Sequence, residues 1–165
     1  VSEGRPATHG VRLEHVDYEH PDAVLLRAEQ YAFGNALYAD HPASANRSGS
    51  EGMDPASILH TVVAYLGNEP VGHVCLRRMD GPMDGELELK RMFVREGHRG
   101  AGIADALLAD VEQAARATGA PRVVIHTGDR QVAALRFYER HGYTPIDVYW
   151  PYQDVTYSLC FEKVL

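Results

Sequence analysis

The sequence predicts an α/β fold: a single mixed, mainly antiparallel central sheet of six to seven strands flanked by helices, formed as one domain over residues 1–165. Two runs rich in Val, Leu and Tyr, Leu59 to Leu66 and Val71 to Arg78, flank the turn-forming Gly67-Asn68-Glu69-Pro70 and read as an antiparallel hairpin. From Glu86 onward, stretches of strand period and helix period alternate, which adds helices to the faces of the same sheet. With 45% apolar and 24% charged residues, a chain of 165 residues buries one substantial core.

Each element has its own signal. A short strand near Val11 to Val16 precedes a helix in which Val24, Leu25, Ala28 and Tyr31 recur at helical spacing, with Asp22 as N-cap and an end near Ala36. Tyr38 to Pro55 is rich in Ser, Ala, Gly, Asn and Asp and reads as a long loop of the kind that serves binding or closure. After the hairpin, Asp80 to Gly85 turns the chain into a strand from Glu86 to Val94. Without a bulge, that strand places Glu86, Glu88, Lys90, Met92 and Val94 on one face and Leu87, Leu89, Arg91 and Phe93 on the other. The next helix carries Ile103, Leu107, Leu108, Val111 and Ala115 on one side and stops at Gly119-Ala120-Pro121. Arg122 to Thr127 is a short apolar strand, Gly128-Asp129 caps a helix running to His141, and Gly142 ends it. Val155 to Phe161 alternates as a last half-buried strand.

Composition excludes several function classes. No stretch approaches the roughly 18 apolar residues of a membrane span. The polar Val1 to Gly10 has no apolar signal region, so a cytoplasmic location is expected. A net charge of -7 argues against nucleic acid as a partner. Cys75 and Cys160 sit in apolar alternating segments and read as buried core thiols, and no Cys or His spacing suggests a metal site.

Chemistry concentrates where the Glu86–Val94 strand meets the following helix. In Arg99-Gly100-Ala101-Gly102-Ile103-Ala104, glycines let a ligand approach the backbone, and unpaired N–H groups at the positive end of a helix suit a phosphate or pyrophosphate. The same residues also suit a tight turn with no ligand. No Gly-Lys-Ser/Thr follows, which excludes a Walker loop, and the preceding strand ends a meander instead of opening the βαβ unit of a dinucleotide fingerprint.

The segment resembles the acetyl-CoA loop of the Gcn5-related N-acetyltransferase (GNAT) family, whose pattern Arg/Gln-x-x-Gly-x-Gly/Ala is met by Arg99, Gly102 and Ala104. The preceding Lys90-Arg91-Met92-Phe93-Val94 is similar to that family's central strand. A second block, Ala134-Leu135-Arg136-Phe137-Tyr138-Glu139-Arg140-His141-Gly142-Tyr143, resembles the family's Ala-x-x-φ-Tyr-x-x-x-Gly-Phe/Tyr signature. The clear resemblance covers Glu86 to Tyr143. It departs at Gln131, where the family often has Asn.

The resemblance implies a GNAT-like acyl-CoA N-acyltransferase fold and acetyl-CoA as co-substrate. Main-chain groups of Met92, Phe93 and Val94 would pair with the pantetheine arm. The N–H groups of Arg99, Gly100, Ala101, Gly102, Ile103 and Ala104 would hold the pyrophosphate, and Gln131 would contribute a side-chain contact to the cofactor. Tyr138 would lie near the thioester sulfur, where a phenol can donate to the departing thiolate; by spacing alone it reads first as a core aromatic.

An ammonium must lose a proton before it attacks, so a base is expected. Glu88 and His126 are the candidates and Glu86 the reserve. The alternatives are an ion-paired strand residue for Glu88, with Lys90 or Arg91, and a hydrogen-bonded core imidazole for His126. The aromatics of Tyr149 to Asp154 would either wall a substrate pocket or pack on a second copy of the chain, since homodimers are common in the family.

Together these readings imply an N-acetyltransferase that moves acetyl to a primary amine of a small molecule by direct attack in a ternary complex, with no metal and no acyl-enzyme. A protein lysine or N-terminal acetyltransferase and a non-catalytic acyl-CoA-binding sensor are the alternatives.

Overall fold

The computed structural model describes residues 10–41 and 53–165, so most of the predicted Tyr38–Pro55 loop lies outside the described residues. The elements follow as β1 (Val11–His15), α1 (Pro21–Leu37), β2 (Ile58–Leu66), β3 (Glu69–Arg78), β4 (Leu87–Val94), α2 (Ile103–Ala117), β5 (Arg122–Gly128), α3 (Val132–Arg140), β6 (Thr144–Ile146) and β7 (Ser158–Val164). They build one seven-stranded sheet in the order β1-β2-β3-β4-β5-β7-β6. Every neighbouring pair is antiparallel except β4 and β5.

The hairpin closes through Gly67, whose φ of +59° is the left-handed conformation the turn needs. One face of the sheet presents Val62, Val74, Leu76, Leu87, Leu89, Val123 and Ile125 to α2, and all five predicted apolar positions of that helix are buried there. The other face receives α1 over Val63, Tyr65 and Phe93, and the 147–157 segment over Val124 and Cys160.

Local differences from the sequence reading have physical causes. Helix α1 buries Ala23 and Leu26, whereas Val24 and Leu25 remain exposed. Its cap is His20, whose Nδ1 accepts from the Asp22 N–H, while the Asp22 carboxylate accepts from the Tyr65 hydroxyl at 2.6 Å. Helix α3 starts at Val132 after Gln131 with no side-chain cap. In β7 it is Ser158 and Cys160 that are buried and Leu159 that faces out, because the 147–157 segment covers that side.

Strand β4 departs most. Its register against β3 shifts between His73 and Cys75, and Arg91 in the bulge adopts φ +62°, unusual for a residue with a side chain. The extra residue inverts the alternation, so Met92 and Val94 join the α2 side with Leu87 and Leu89 while Glu88 and Lys90 lie opposite. Met92 and Val94 therefore do not share the face of Glu88.

Two buried polar points tie the ends of the chain to this frame. Glu112 on α2 accepts from Tyr143 at 3.1 Å and from both approaches of Lys163 at 2.9 and 3.0 Å. Tyr38, at the end of α1, lies against Gly128 so closely that a Cβ there would meet its ring Cζ at 2.6 Å. From that position its hydroxyl accepts the Arg130 N–H at 2.9 Å, and its ring stacks on Tyr157 at 4.3 Å.

Gly128→Ala should therefore expel Tyr38 from its seat and cost about 1–3 kcal/mol in urea unfolding. Most of that loss should vanish in a Tyr38→Ala background, where the colliding ring is gone.

Candidate active site

Pairing between β4 and β5 stops after Leu89 and Ile125. Beyond those residues the strands part, and a cleft of about 1260 Å³ opens between them, lined from β4, β5, both ends of the connection to α2, α1 and α3. Backbone groups that would otherwise complete a sheet border that space, some already bonded to side chains.

At one end of the cleft the chain leaves β4 through a single 3₁₀ turn, Glu96–His98, and enters α2 with both Gly100 and Gly102 at φ +80°. Gly102 is the N-cap, so the first N–H groups of a 15-residue helix have no carbonyl to bind within it. Arg99, Gly100, Gly102, Ile103 and Ala104 all line the cleft; Ala101 alone of the predicted loop does not. Arg99 folds back, its Nε donating to the Val94 carbonyl at 3.0 Å and its guanidinium lying 5.0 Å from the Phe33 ring centre.

Met92, Phe93 and Val94 also line the cleft, with the Met92 carbonyl accepting from Gln30 Nε2 at 3.0 Å. A ligand using the Met92 or Val94 carbonyl must displace a side chain. Gln30 Oε1 is buried without a hydrogen-bond partner, an acceptor left for a ligand N–H.

Tyr138 reaches the cleft from α3 and Gln131 from that helix's cap. Burial alone pushes the Tyr138 phenol well above its usual range, and its hydroxyl makes no hydrogen bond among the described residues. It stays protonated, a donor in need of an acceptor.

His126 also lines the cleft. Its ring lies flat on Tyr152, centres 3.7 Å apart and planes 7° from parallel, and its Nε2 is 2.8 Å from the Ser158 hydroxyl. Ser158 in turn donates to the Tyr152 carbonyl at 3.4 Å, which assigns the ring proton to Nε2 and the lone pair to Nδ1. Desolvation, reinforced by the charge of Lys90, drives the imidazole pKa far below 6.5.

Glu88 occupies a different place. It is fully buried behind the cleft wall, where Oε1 accepts from Arg77 at 2.7 Å and Tyr152 at 3.1 Å, and Oε2 from Tyr149 at 2.6 Å. It does not line the cleft. Glu86 is spent on Arg122, which holds both its oxygens at 3.0 and 3.1 Å. Tyr149 and Tyr152 are buried around Glu88 and His126 and do not line the cleft, while Trp150 is only partly buried, its ring against Gly81. The two tyrosines brace the wall from behind.

Two cleft residues escaped sequence reasoning as functional groups: Lys90 and Arg91. Lys90 is buried, its Nζ 2.7 Å from the Tyr152 hydroxyl and 3.9 Å from Glu88. Desolvation outweighs the Glu88 attraction and pulls its pKa down to about 8. No sequence signal marks the bulge at which these two residues sit.

His15, His60 and Asp110 also converge, their ligating atoms within 4.8 Å of one another, away from the cleft lining. Asp110 accepts from His60 at 2.7 Å and His15 at 3.0 Å, which satisfies the three groups mutually. Cys75 and Cys160 are buried free thiols whose pKa values burial raises to about 12 and about 11. Among the described residues, no helix is long and apolar enough to cross a membrane.

Comparison with known proteins places this geometry. The profile of the Acetyltransferase (GNAT) family matches residues 23–143. N-acetyltransferase family 8 member 2 of Rattus norvegicus is 40% identical over 83 residues, 49% of this chain and 37% of that protein. The IAA acetyltransferase of Azospirillum brasilense is 36% identical over 81 residues, 49% of this chain and 53% of that protein. The match thus spans about half or less of these curated relatives. In three dimensions the chain is similar to a GNAT family acetyltransferase of Elizabethkingia anophelis with acetyl-CoA bound, at TM-score 0.63 and 20% identity over 95% of this chain and 99% of that one.

The depressed pKa of His126 fixes a sign. The unfolded chain takes up a proton near pH 6.5 that the folded imidazole refuses, so this residue lowers stability as pH falls below about 6.5. Thermal melts between pH 4 and 7 should show a shallower decline for His126→Gln than for the parent chain.

Proposed function

The chain belongs to the GNAT acetyltransferase family, and from that premise we propose that it transfers the acetyl group of acetyl-CoA to the primary amine of a small molecule by direct attack in a ternary complex. The observation that carries the reading is the parting of β4 from β5 after Leu89 and Ile125. It supplies one continuous cleft with an anion-binding helix start at one end and a protonated phenol and a neutral imidazole in its walls.

In this reading the thioester lies along β4. The pyrophosphate rests on the N–H groups from Gly100 to Ala104, with Gln131 beside the cofactor and the amide arm against Met92, Phe93 and Val94. The amine nitrogen attacks the thioester carbonyl, the C–S bond breaks, and the sulfur leaves as thiolate. Tyr138 donates its proton or a hydrogen bond to that sulfur, a role suited to a buried phenol that keeps its proton at every working pH.

Between the two candidate bases, geometry favours His126. Its ring borders the cleft and its Nδ1 lone pair is unprotonated, whereas both oxygens of Glu88 are engaged behind the wall. Glu88 then positions Tyr152, and through it the imidazole stacked on that ring. No cysteine borders the cleft among the described residues, which accords with direct attack.

Tyr138→Phe should reduce kcat roughly 100-fold while leaving the Kd for acetyl-CoA unchanged in calorimetry. An unchanged kcat removes Tyr138 from the chemistry. His126→Gln should lower kcat at every pH tested, while Glu88→Gln should lower it less, because its carboxylate acts only through Tyr152; the reverse order would transfer the base role to Glu88. Release of CoA detected with a thiol-reactive dye supplies the rate in each case.

A further inference from the structure

Arg91 stands out from every other cation around the cleft. Its guanidinium makes no hydrogen bond or ion pair with any described residue, and its Nε is buried without a partner. Desolvation is the largest influence on it, and the groups that act on its charge are Tyr18, Cys75, Arg27 and Tyr152, none of them a carboxylate. Arg27 cannot neutralise it, being itself a cation engaged with the Tyr18 carbonyl and 3.2 Å from His73 Nε2. Glu88, the carboxylate by Lys90, is already held by Arg77, Tyr149 and Tyr152. Lys90 adds a further positive charge on the same wall.

Arg91 is also held in place at some conformational expense. It occupies the β4 bulge at φ +62°, a left-handed conformation that a residue with a side chain adopts only when its surroundings impose it. A desolvated, unpaired guanidinium on a strained backbone, facing a cleft, is a binding group whose partner arrives from outside.

That partner is distinct from the cofactor's phosphates. The Gly100–Ala104 loop heads α2, which packs with Val94 on one face of the sheet. The groups around Arg91 belong to the opposite face, beside α1 and the Tyr149–Tyr152 segment. Cofactor and acceptor would therefore meet an anion site each, from opposite sides of the parted strands.

Resting on the acetyltransferase reading, we propose that the acceptor is an amine that also carries a carboxylate, and that Arg91 binds this carboxylate while the amine faces the thioester. A planar carboxylate matches the guanidinium fork through two parallel hydrogen bonds.

The test uses matched pairs: the common amino acids and their carboxamides, assayed for CoA release with saturating acetyl-CoA, for the parent chain and for Arg91→Met and Arg91→Lys. The parent chain should favour the better amino acids over their amides by roughly 30-fold or more in kcat/KM. Arg91→Met should collapse that ratio toward one, mainly through KM, and Arg91→Lys should restore part of it. Equal loss on acid and amide in Arg91→Met, or a parent chain that favours amides or polyamines, overturns the carboxylate assignment while leaving the acetyltransferase reading intact. Acetyl-CoA binding with no acetylation of any amine in either series overturns both.

Discussion

One surplus residue in β4 governs the architecture of the cleft. Up to Leu89 the strand pairs with β5 in parallel; at Lys90 and Arg91 the register against β3 slips, and the strand bends away from its other neighbour. A regular β4 would continue its ladder along β5 and leave no room for a ligand. The bulge thus does two things together: it opens the sheet at its centre, and it swings Met92 and Val94 to the α2 side while leaving Lys90 on the other. The cleft is continuous across the sheet because the strand that forms it changes sides within it.

Opening a sheet at its middle exposes polar groups to a low-dielectric interior, and the chain answers with a buried polar network on one side. Glu88 gathers Arg77, Tyr149 and Tyr152, and Tyr152 extends the network to Lys90 and, by stacking, to His126. Burying such a set is costly unless every member is satisfied, and breaking any one contact leaves the rest uncompensated. The 147–157 segment is short of regular structure, yet two of its three tyrosines, Tyr149 and Tyr152, are buried, Tyr152 completely. They are held by hydrogen bonds to one carboxylate as well as by packing.

Much of this could be read in the sequence. The hairpin, the α2 stripe and the glycine-rich entry to α2 were legible because each rests on local chemistry: turn residues, period and helix-start donors. Tyr138 and His126 were legible because a motif and a strand position carried them into the cleft. Glu88, by contrast, lies behind the cleft wall, a placement the sequence hides, since strand alternation says which face a side chain takes but not what covers it. The tyrosines that cover it come some 60 residues later in the chain. Arg91 was hidden for another reason. A bulge is a relation between two strands, and neither Lys90-Arg91-Met92 nor His73-Val74-Cys75 announces it alone.

The buried Lys90 has a consequence of a different kind. On the proposed reading, the cleft carries an amine in its own wall, and an unprotonated Nζ there would compete with the intended acceptor. With a pKa of about 8, Lys90 is about nine-tenths ammonium at pH 7, a form with no lone pair to offer. The bond to Tyr152 and the attraction of Glu88 keep it so, against a burial that would otherwise strip its proton. The Glu88 carboxylate behind the wall thus opposes the loss of the Lys90 proton that burial favours.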